Sequence, residues 1–382
     1  MAYGLVSSIP TSGIRKFFNL ASKESINLGI GEPDFQPPKY VQMAAKKAIT
    51  MGFNKYGPSS GLPELREAIA QKYRKYADLK AENVIITMGG TEAFYLALYS
   101  LLESNDEVLV PDPGFVIYAP HVTLAGGIPV SYPLQSSKKF VLDLADLEPL
   151  ITSRTKAIIV NSPSNPLGTV LSEREIKNII EFAMIHDLYI ISDEVYMKIV
   201  FDRDETTFLG KYDKLIFINS FSKEYAMTGW RIGYLIASRK LIEPISKLQY
   251  YLIACPATPL QYGALAAIQN SDQFTRNMVR SFKKRRDLAL HLFSGIPQFS
   301  QHVPDGTFYL FPAYSLSLDD DKFAISLLKN GVVVAPGTAF GSNGAKHIRI
   351  SYATSPENIK KGIELIKETV EFLLLNVCFF YC

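Results

Sequence analysis

Four short segments of this chain bring together residue types that can hold a phosphate, carry a reactive amine and grip a ring. In residues 220–231 (SFSKEYAMTGWR), Lys223 is flanked by the hydroxyls of Ser220 and Ser222 and followed eight positions later by Arg231. A lysine beside a fixed cation has a lowered pKa, the condition for Schiff-base chemistry, while hydroxyls and a guanidinium suit a phosphate dianion. A plain loop charge is the alternative. In residues 189–196 (YIISDEVY), Asp193 and Glu194 close an apolar run and Tyr196 follows. A carboxylate at the buried end of a strand must be paired with a cation or neutralised. The chain has no GxxxxGK[ST] phosphate loop, which argues against Mg²⁺ as that cation and leaves a protonated ring nitrogen, or a structural aspartate accepting backbone N–H groups.

The third segment, residues 88–92 (MGGTE), places Gly89, Gly90 and Thr91 at a strand-to-helix turn, where free backbone N–H groups and the positive end of a helix dipole attract an anion. Taken alone, ordinary turn chemistry with Thr91 as a cap is at least as good a reading. In the fourth, residues 161–168 (NSPSNPLG), two Asn, two Pro and a Gly fix a rigid loop from which Asn165 could hydrogen-bond a ligand oxygen.

Each segment follows a short apolar run. The runs 84–87, 107–110, 157–160, 189–192, 215–219 and 232–237 are separated by helical lengths, the pattern of a parallel sheet covered on both faces. Ligands of such sheets bind beyond the carboxyl ends of the strands, where these residues fall. Further on, residues 347–354 (HIRISYAT) alternate as a half-buried strand with His347, Arg349 and Ser351 on one face. Ser355 then caps a helix opened by Pro356, with Ile359, Ile363, Ile366, Val370 and Leu373 on its apolar side. This predicts a second, sheet-plus-helix domain, with the boundary near residues 272–285 inside a long helix. The basic run 283–286 (KKRR) is expected on a solvated helix face, and the apolar tail 372–382, too short to span a bilayer, as helix end plus packing or interface surface.

Composition narrows the function classes. A chain of 382 residues has room for about two domains, and with 47% hydrophobic residues it can bury a large core. A net charge of +3 argues against coating nucleic-acid phosphates. The three cysteines, Cys255, Cys378 and Cys382, make neither a disulfide framework nor a CxxC metal site, so no metal is expected. The first 20 residues lack the apolar core of a signal peptide, and no membrane span is read anywhere. The expectation is a cytoplasmic protein with a small-molecule partner.

Taken together, the four segments supply a phosphate cradle, an amine, a carboxylate and a phenol-plus-amide pair along one sheet edge. Pyridoxal phosphate needs that set: a phosphate grip, a lysine for its aldehyde, an anion to keep the pyridine nitrogen protonated, and donors to its ring oxygen.

The motifs GGTEA (89–93), NxxxNPxG (161–168), SDEVY (192–196), SFSK (220–223), AMTGWRIG (226–233) and RISYA (349–353) resemble those of the class I aminotransferases of pyridoxal-phosphate fold type I. The resemblance extends from GIGEPDF (29–35) through KYGPSSGLPELR (55–66) to the C-terminal helix, and is nearest to prokaryotic aromatic and aspartate aminotransferases, with IRKFF (14–18) pointing to archaeal aromatic ones. It implies a large domain with a mostly parallel seven-stranded sheet sandwiched by helices plus a smaller α+β domain, divided as residues 1–35 (arm and part of the small domain), 36–277 (large) and 278–382 (small). By this resemblance Lys223 takes up the aldehyde and later shuttles the proton, Asp193 pairs with the ring nitrogen, and Asn165 and Tyr196 hydrogen-bond the ring hydroxyl. Gly90, Thr91, Ser220, Ser222 and Arg231 hold the phosphate, and Phe115 stacks on the ring unless it is an ordinary core Phe. Arg349 clamps the substrate α-carboxylate, helped by the backbone near Gly31 and by Asn165. Tyr56 reaches the phosphate of a neighbouring subunit, which implies a homodimer with shared active sites. The implied activity is ping-pong transfer of an α-amino group from an amino acid, aromatic or aspartate favoured, to a 2-oxo acid such as 2-oxoglutarate; a C–S β-lyase on the same scaffold is the alternative. Three departures bear on fine tuning: Phe115 where Tyr or Trp is frequent, Leu167 within NPLG, and Glu224 where Thr is common.

Overall fold

The computed structural model describes residues 24–380, with side chains through 375, and the isolated positions 4, 6, 9, 13, 20 and 22. The IRKFF segment and the side chains of Cys378 and Cys382 lie outside the described residues, as does most of the chain ahead of residue 24. Among the described residues, seven strands form the main sheet: β1 (Val84–Thr87), β2 (Glu107–Asp112), β3 (Ile128–Pro133), β4 (Thr155–Asn161), β5 (Tyr189–Asp193), β6 (Leu215–Ser220) and β7 (Gly233–Ala237), in the spatial order β1-β7-β6-β5-β4-β2-β3. Their β-branched sequences suit a pleated surface buried on both sides. One face carries Ile85, Ile191, Ile218 and Leu235 against Phe94 and Leu98 of helix α2 (Gly89–Leu101). The other carries Ile86, Ile158, Ile190 and Phe217 against Leu65 and Ile69 of α1 (Pro63–Lys72) and Ile180 of α4 (Glu173–Ile185), α3 being the short helix Tyr118–Leu124.

The sheet is seven-stranded and mostly parallel, as the resemblance implies, and two of its features go beyond the pattern of apolar runs. β7 runs antiparallel to both neighbours, β1 and β6, and is the reversed strand in an otherwise parallel sheet. β3 was not among the apolar runs: it is an edge strand whose first four residues are exposed or half-buried, so one side is free to be polar. The run beginning at Ile232 starts as a strand one residue later, and that at Glu107 continues to Asp112.

A third core gathers Ile26 and Leu28 with Phe282, Ile348, Ile350, Ile359 and Ile363. Here β8 (Ile348–Ser351) lies antiparallel between Tyr309–Leu310 and Ala335–Pro336, covered by α6 (Asp272–Phe293) and α7 (Pro356–Phe380); α5 (Phe221–Glu224) is the short helix after β6. The half-buried reading of 347–354 is corrected: His347, Arg349 and Ser351 are buried as fully as Ile348 and Ile350, because their polar face meets other protein rather than water. The solvated face expected for the run KKRR is corrected too. Arg286 is 6% exposed and pairs with Asp202 and Asp287, and Arg285 pairs with Asp34. Four consecutive helical residues, each turned about 100° from the last, must send some inward. Phe372, Leu374 and Leu375 are exposed on α7. Among the described residues no helix is long and apolar enough to cross a membrane.

β7 presses its first residue onto the start of α2: a Cβ on Gly233 would stand 2.5 Å from Gly89 C and 2.7 Å from Gly90 N. Those are backbone atoms and cannot swing aside. Gly233→Ala is expected to lower stability by about 1–3 kcal/mol, the usual range for forcing volume into a packed site, read from the urea midpoint. An unchanged midpoint would contradict this close approach.

Candidate active site

The carboxyl ends of β4, β5 and β6 and the start of α2 open on one cavity of about 500 Å³. Gly31, Gly90, Thr91, Phe115, Asn165, Asp193, Tyr196, Ser220, Ser222, Lys223, Arg231 and Arg349 all line it. Tyr56 does not; it is 89% exposed on this chain. The convergence follows from the topology, since parallel strands deliver their last residues to a single edge.

Lys223 sits in the one-turn helix α5, whose cap Ser220 accepts a hydrogen bond at Oγ from the Ser222 N–H at 3.1 Å. Its Nζ donates to the Gly31 carbonyl at 2.6 Å. Burial, and then the charge of Arg349, lower its pKa from 10.5 to about 8; Arg231 adds to this and Glu32 opposes it. The loop-charge alternative is therefore set aside, because the amine is aimed into the fold.

Asp193, 3% exposed, closes β5. Its Oδ2 accepts from the Tyr118 hydroxyl at 2.6 Å and its Oδ1 from the Val195 N–H at 3.3 Å. Burial pushes its pKa up to about 6, against the pull of those two donors and of Lys223. A carboxyl held in this balance is stabilised as an anion by any cation brought to it.

Arg349 is 2% exposed. One terminal nitrogen donates to Asn165 Oδ1 at 2.9 Å, the other to the Gly29 carbonyl at 2.6 Å, and its Nε is buried with no hydrogen-bond partner among the described residues. The guanidinium lies 4.4 Å from the Tyr309 ring centre and 4.8 Å from that of Phe340. No carboxylate pairs with it among the described residues, an arrangement that favours a bound carboxylate because a lone buried cation is costly.

The remaining residues frame these three. Asn165 is held by its N–H, which donates to Asn161 Oδ1 at 2.7 Å, and Asn161 Nδ2 donates to the Asp193 carbonyl at 2.9 Å. The hydroxyls of Tyr196 and Tyr309 share a hydrogen bond of 2.9 Å. Opposite, Gly89 and Gly90 begin α2 with their first-turn N–H groups free of helix partners. Arg231 packs across Gly89 so closely that a Cβ there would stand 2.5 Å from its guanidinium. Gly89 also adopts φ +77°, which side-chain-bearing residues rarely do. Phe115 is half-buried on the cavity wall, edge-on to Tyr118 at 5.8 Å.

Sequence reasoning missed Tyr118, Tyr309 and Asn161. Tyr118 lies three residues beyond Phe115, but its partner Asp193 is 75 positions away; Asn161 opens the NSPSNPLG segment and holds Asn165 within it, yet its distant partner, Asp193, is 32 positions on. Tyr309 lies on a two-residue strand that has no periodicity to read.

Comparison with known proteins places this arrangement. The family described as aminotransferase class I and II matches residues 23–366. The chain is 44% identical to a probable aspartate aminotransferase of Methanocaldococcus jannaschii, covering 95% of this chain and 98% of that one. It is 39% identical to aromatic-amino-acid aminotransferase 2 of Thermococcus litoralis, over 94% and 96% of the two chains. In three dimensions it is similar to an aromatic aminotransferase from Pyrococcus horikoshii, with TM-score 0.88, 38% identity and coverage of 94% and 98%. It is also similar to aspartate aminotransferase from Thermus thermophilus with maleate, with TM-score 0.90, 33% identity and coverage of 96% and 98%.

The lowered pKa of Lys223 has a consequence for the unloaded chain. Below about pH 8 the fold holds this ammonium against burial and Arg349, whereas the unfolded chain does not, so the group subtracts stability. The deficit fades as pH rises from about 8 to 10.5, where the native state gives up its proton first. Lys223→Met is therefore expected to raise stability at neutral pH by about 1–3 kcal/mol, with the gain shrinking toward pH 10.5. Urea midpoints across that range check this; a gain that does not shrink would contradict it.

Proposed function

The chain belongs to the aminotransferase class I and II family and is an amino acid aminotransferase; from that premise we propose pyridoxal 5′-phosphate as its cofactor and aromatic amino acids as its preferred donors. The meeting of Lys223, Asp193 and Arg349 in one cavity carries this reading. The residues present fit the group. Gly90, Thr91, Ser220, Ser222 and Arg231 would hold the phosphate, Asp193 the ring nitrogen, Asn165 and Tyr196 the ring hydroxyl, Phe115 the ring face, and Lys223 the aldehyde. When bound, the cofactor supplies a carbonyl for the substrate amine and a ring that accepts electrons from the α-carbon.

The chain's own residues do the rest. Arg349, with Asn165 and the backbone near Gly31, orients the amino acid through its α-carboxylate. Lys223, with a pKa of about 8, is poised near neutral pH to take a proton and return it to a neighbouring carbon, as a general acid–base group should be. Asp193 holds a positive charge on the ring side. The amino group then passes to a second 2-oxo acid, such as 2-oxoglutarate, by the reverse steps.

The cavity wall supports the choice of donor. Ile30, Phe94, Val116, Ile117 and Val195 present apolar surface, while its cations, Lys223, Arg231 and Arg349, each have another task. Aspartate is the second donor considered, in keeping with the names of its relatives. A homodimer is part of the same reading: Tyr56 stands exposed, as do Met43, Met51, Tyr250 and Tyr251, so that a second copy would cover apolar surface and receive Tyr56 at its phosphate. We place the protein in the cytoplasm, in keeping with the free thiol of Cys255, and divide it as residues 1–35, 36–277 and 278–382, in keeping with the packing of Ile26 and Leu28 among residues beyond 278.

A panel of amino donors with 2-oxoglutarate tests the reading: tyrosine and phenylalanine are expected to give glutamate with the highest kcat/KM, aspartate less. Pyruvate and thiol from cystathionine, with no second oxo acid needed, would overturn it in favour of a lyase. Lys223→Ala should keep part of its cofactor binding but lose turnover by about 10²–10⁴-fold. Arg349→Gln, which removes a charged two-point grip, should lower kcat/KM by roughly 10- to 100-fold. Wild-type kinetics in either variant would show that its role has been misassigned.

A further inference from the structure

The residue after Lys223 is a buried carboxylate. Glu224 is 5% exposed, closes α5, and accepts at Oε2 from Lys72 Nζ at 2.6 Å. The same ammonium donates to the Tyr225 hydroxyl at 2.9 Å and lies 5.1 Å from that ring's centre. Lys72 is the last residue of α1. On the other side the Glu224 carbonyl accepts from Thr275 Oγ1 of α6 at 3.2 Å. The turn bearing Lys223 is thus tied to one helix by a side chain and to another by its backbone. Lys198 paired with Glu205 at 2.7 Å, the Tyr73–Tyr234 hydroxyl pair at 2.7 Å and Asp272 are other titratable groups close by.

A one-turn helix has no cooperative stability of its own, so its place is set by what holds its two ends. Ser220 caps the first; the Lys72–Glu224–Tyr225 cluster holds the second. The largest charge effects on Lys223 come from Arg349, Glu32, Arg231 and Asp193, while the Glu224 carboxylate is paired with Lys72, so Glu224 bears on its neighbour through position. A buried ion pair is a weak source of stability but a good means of selecting one arrangement. Threonine, which the resemblance leads one to expect at 224, is too short to reach across as this glutamate does.

We propose, on the reading of Lys223 as the cofactor-bearing amine, that Lys72, Glu224 and Tyr225 are positioning residues that fix where Lys223 Nζ stands among Gly31, Asp193 and Arg349. The test uses the full-length, cofactor-loaded protein. Lys72→Met/Glu224→Gln replaces the ion pair with neutral groups of similar size and leaves no buried charge alone; Tyr225→Phe removes only the hydroxyl that bonds Lys72 and Glu224, for use should the double variant not fold. Lys177→Met/Glu181→Gln, on an exposed ion pair, is the control. In the double variant kcat per loaded site is expected to fall about 10-fold, since misplacing a reacting group by about 1 Å can cost 10²-fold. The donor KM should move less than about 2-fold, because the Arg349 grip is untouched. The pH midpoint of the visible absorbance of the bound cofactor should shift by at least about half a unit. Tyr225→Phe should move kcat and midpoint in the same directions by less, and Lys72→Arg, which keeps the pair, should recover most of the wild-type values. A double variant, or a Tyr225→Phe variant where the double does not fold, with wild-type kcat per loaded site and an unmoved midpoint would overturn the proposal and leave the cluster merely structural. A wild-type protein that binds no lysine-linked cofactor would instead overturn the reading beneath it.

Discussion

Three ionisable groups, Lys223, Asp193 and Arg349, line one cavity, and the surrounding structure is arranged to keep them there. Each would be more comfortable in water. Burial raises the pKa of Asp193 to about 6 and lowers that of Lys223 to about 8, and Arg349 is buried without a carboxylate partner among the described residues. No group neutralises another by direct contact. Tyr118 answers Asp193, the Gly31 carbonyl answers Lys223, and Asn165 with the Gly29 carbonyl answers Arg349. These neutral partners orient the charges without cancelling them, so their fields remain available to a bound cofactor and substrate.

That constraint accounts for the way the two large parts of the chain meet. The main sheet supplies the lysine and the aspartate from adjacent strand ends, while the arginine comes from β8 in the smaller sheet. The segment at residues 29–31 joins them, offering one carbonyl to Arg349 and another to Lys223. Stability given up by burying charge is offset by the dense apolar packing on both sheet faces and around Phe282, Ile348 and Ile363.

Much of this was legible in the sequence, and the reasons for the misses are physical. The fully buried strands announce themselves as apolar runs, and the polar residues just after them stand out because little else explains a Lys or Asp there. The seven-stranded fold and the family followed from those motifs. The edge strand β3 was missed because one-sided exposure leaves no apolar run, and the reversed direction of β7 because direction has no local signature. Tyr118 and Asp193 are partners across 75 positions of sequence, which single-residue patterns cannot pair. The strand bearing Arg349 was read with the right alternation but the wrong surroundings, since a polar face turned toward a site and one turned toward water have the same periodicity. Arg285 and Arg286 were misjudged for the opposite reason: charge suggested solvent, while helix geometry required that part of the run turn inward.

In the proposed reading Lys223, and no other lysine, carries the cofactor at the edge of this sheet. The most direct test of this is to load the protein with pyridoxal phosphate, reduce it with borohydride and locate the label by peptide mass spectrometry. One phosphopyridoxyl group per chain is expected, on the peptide containing Lys223. Label spread over surface lysines, or concentrated on any other residue, would contradict it.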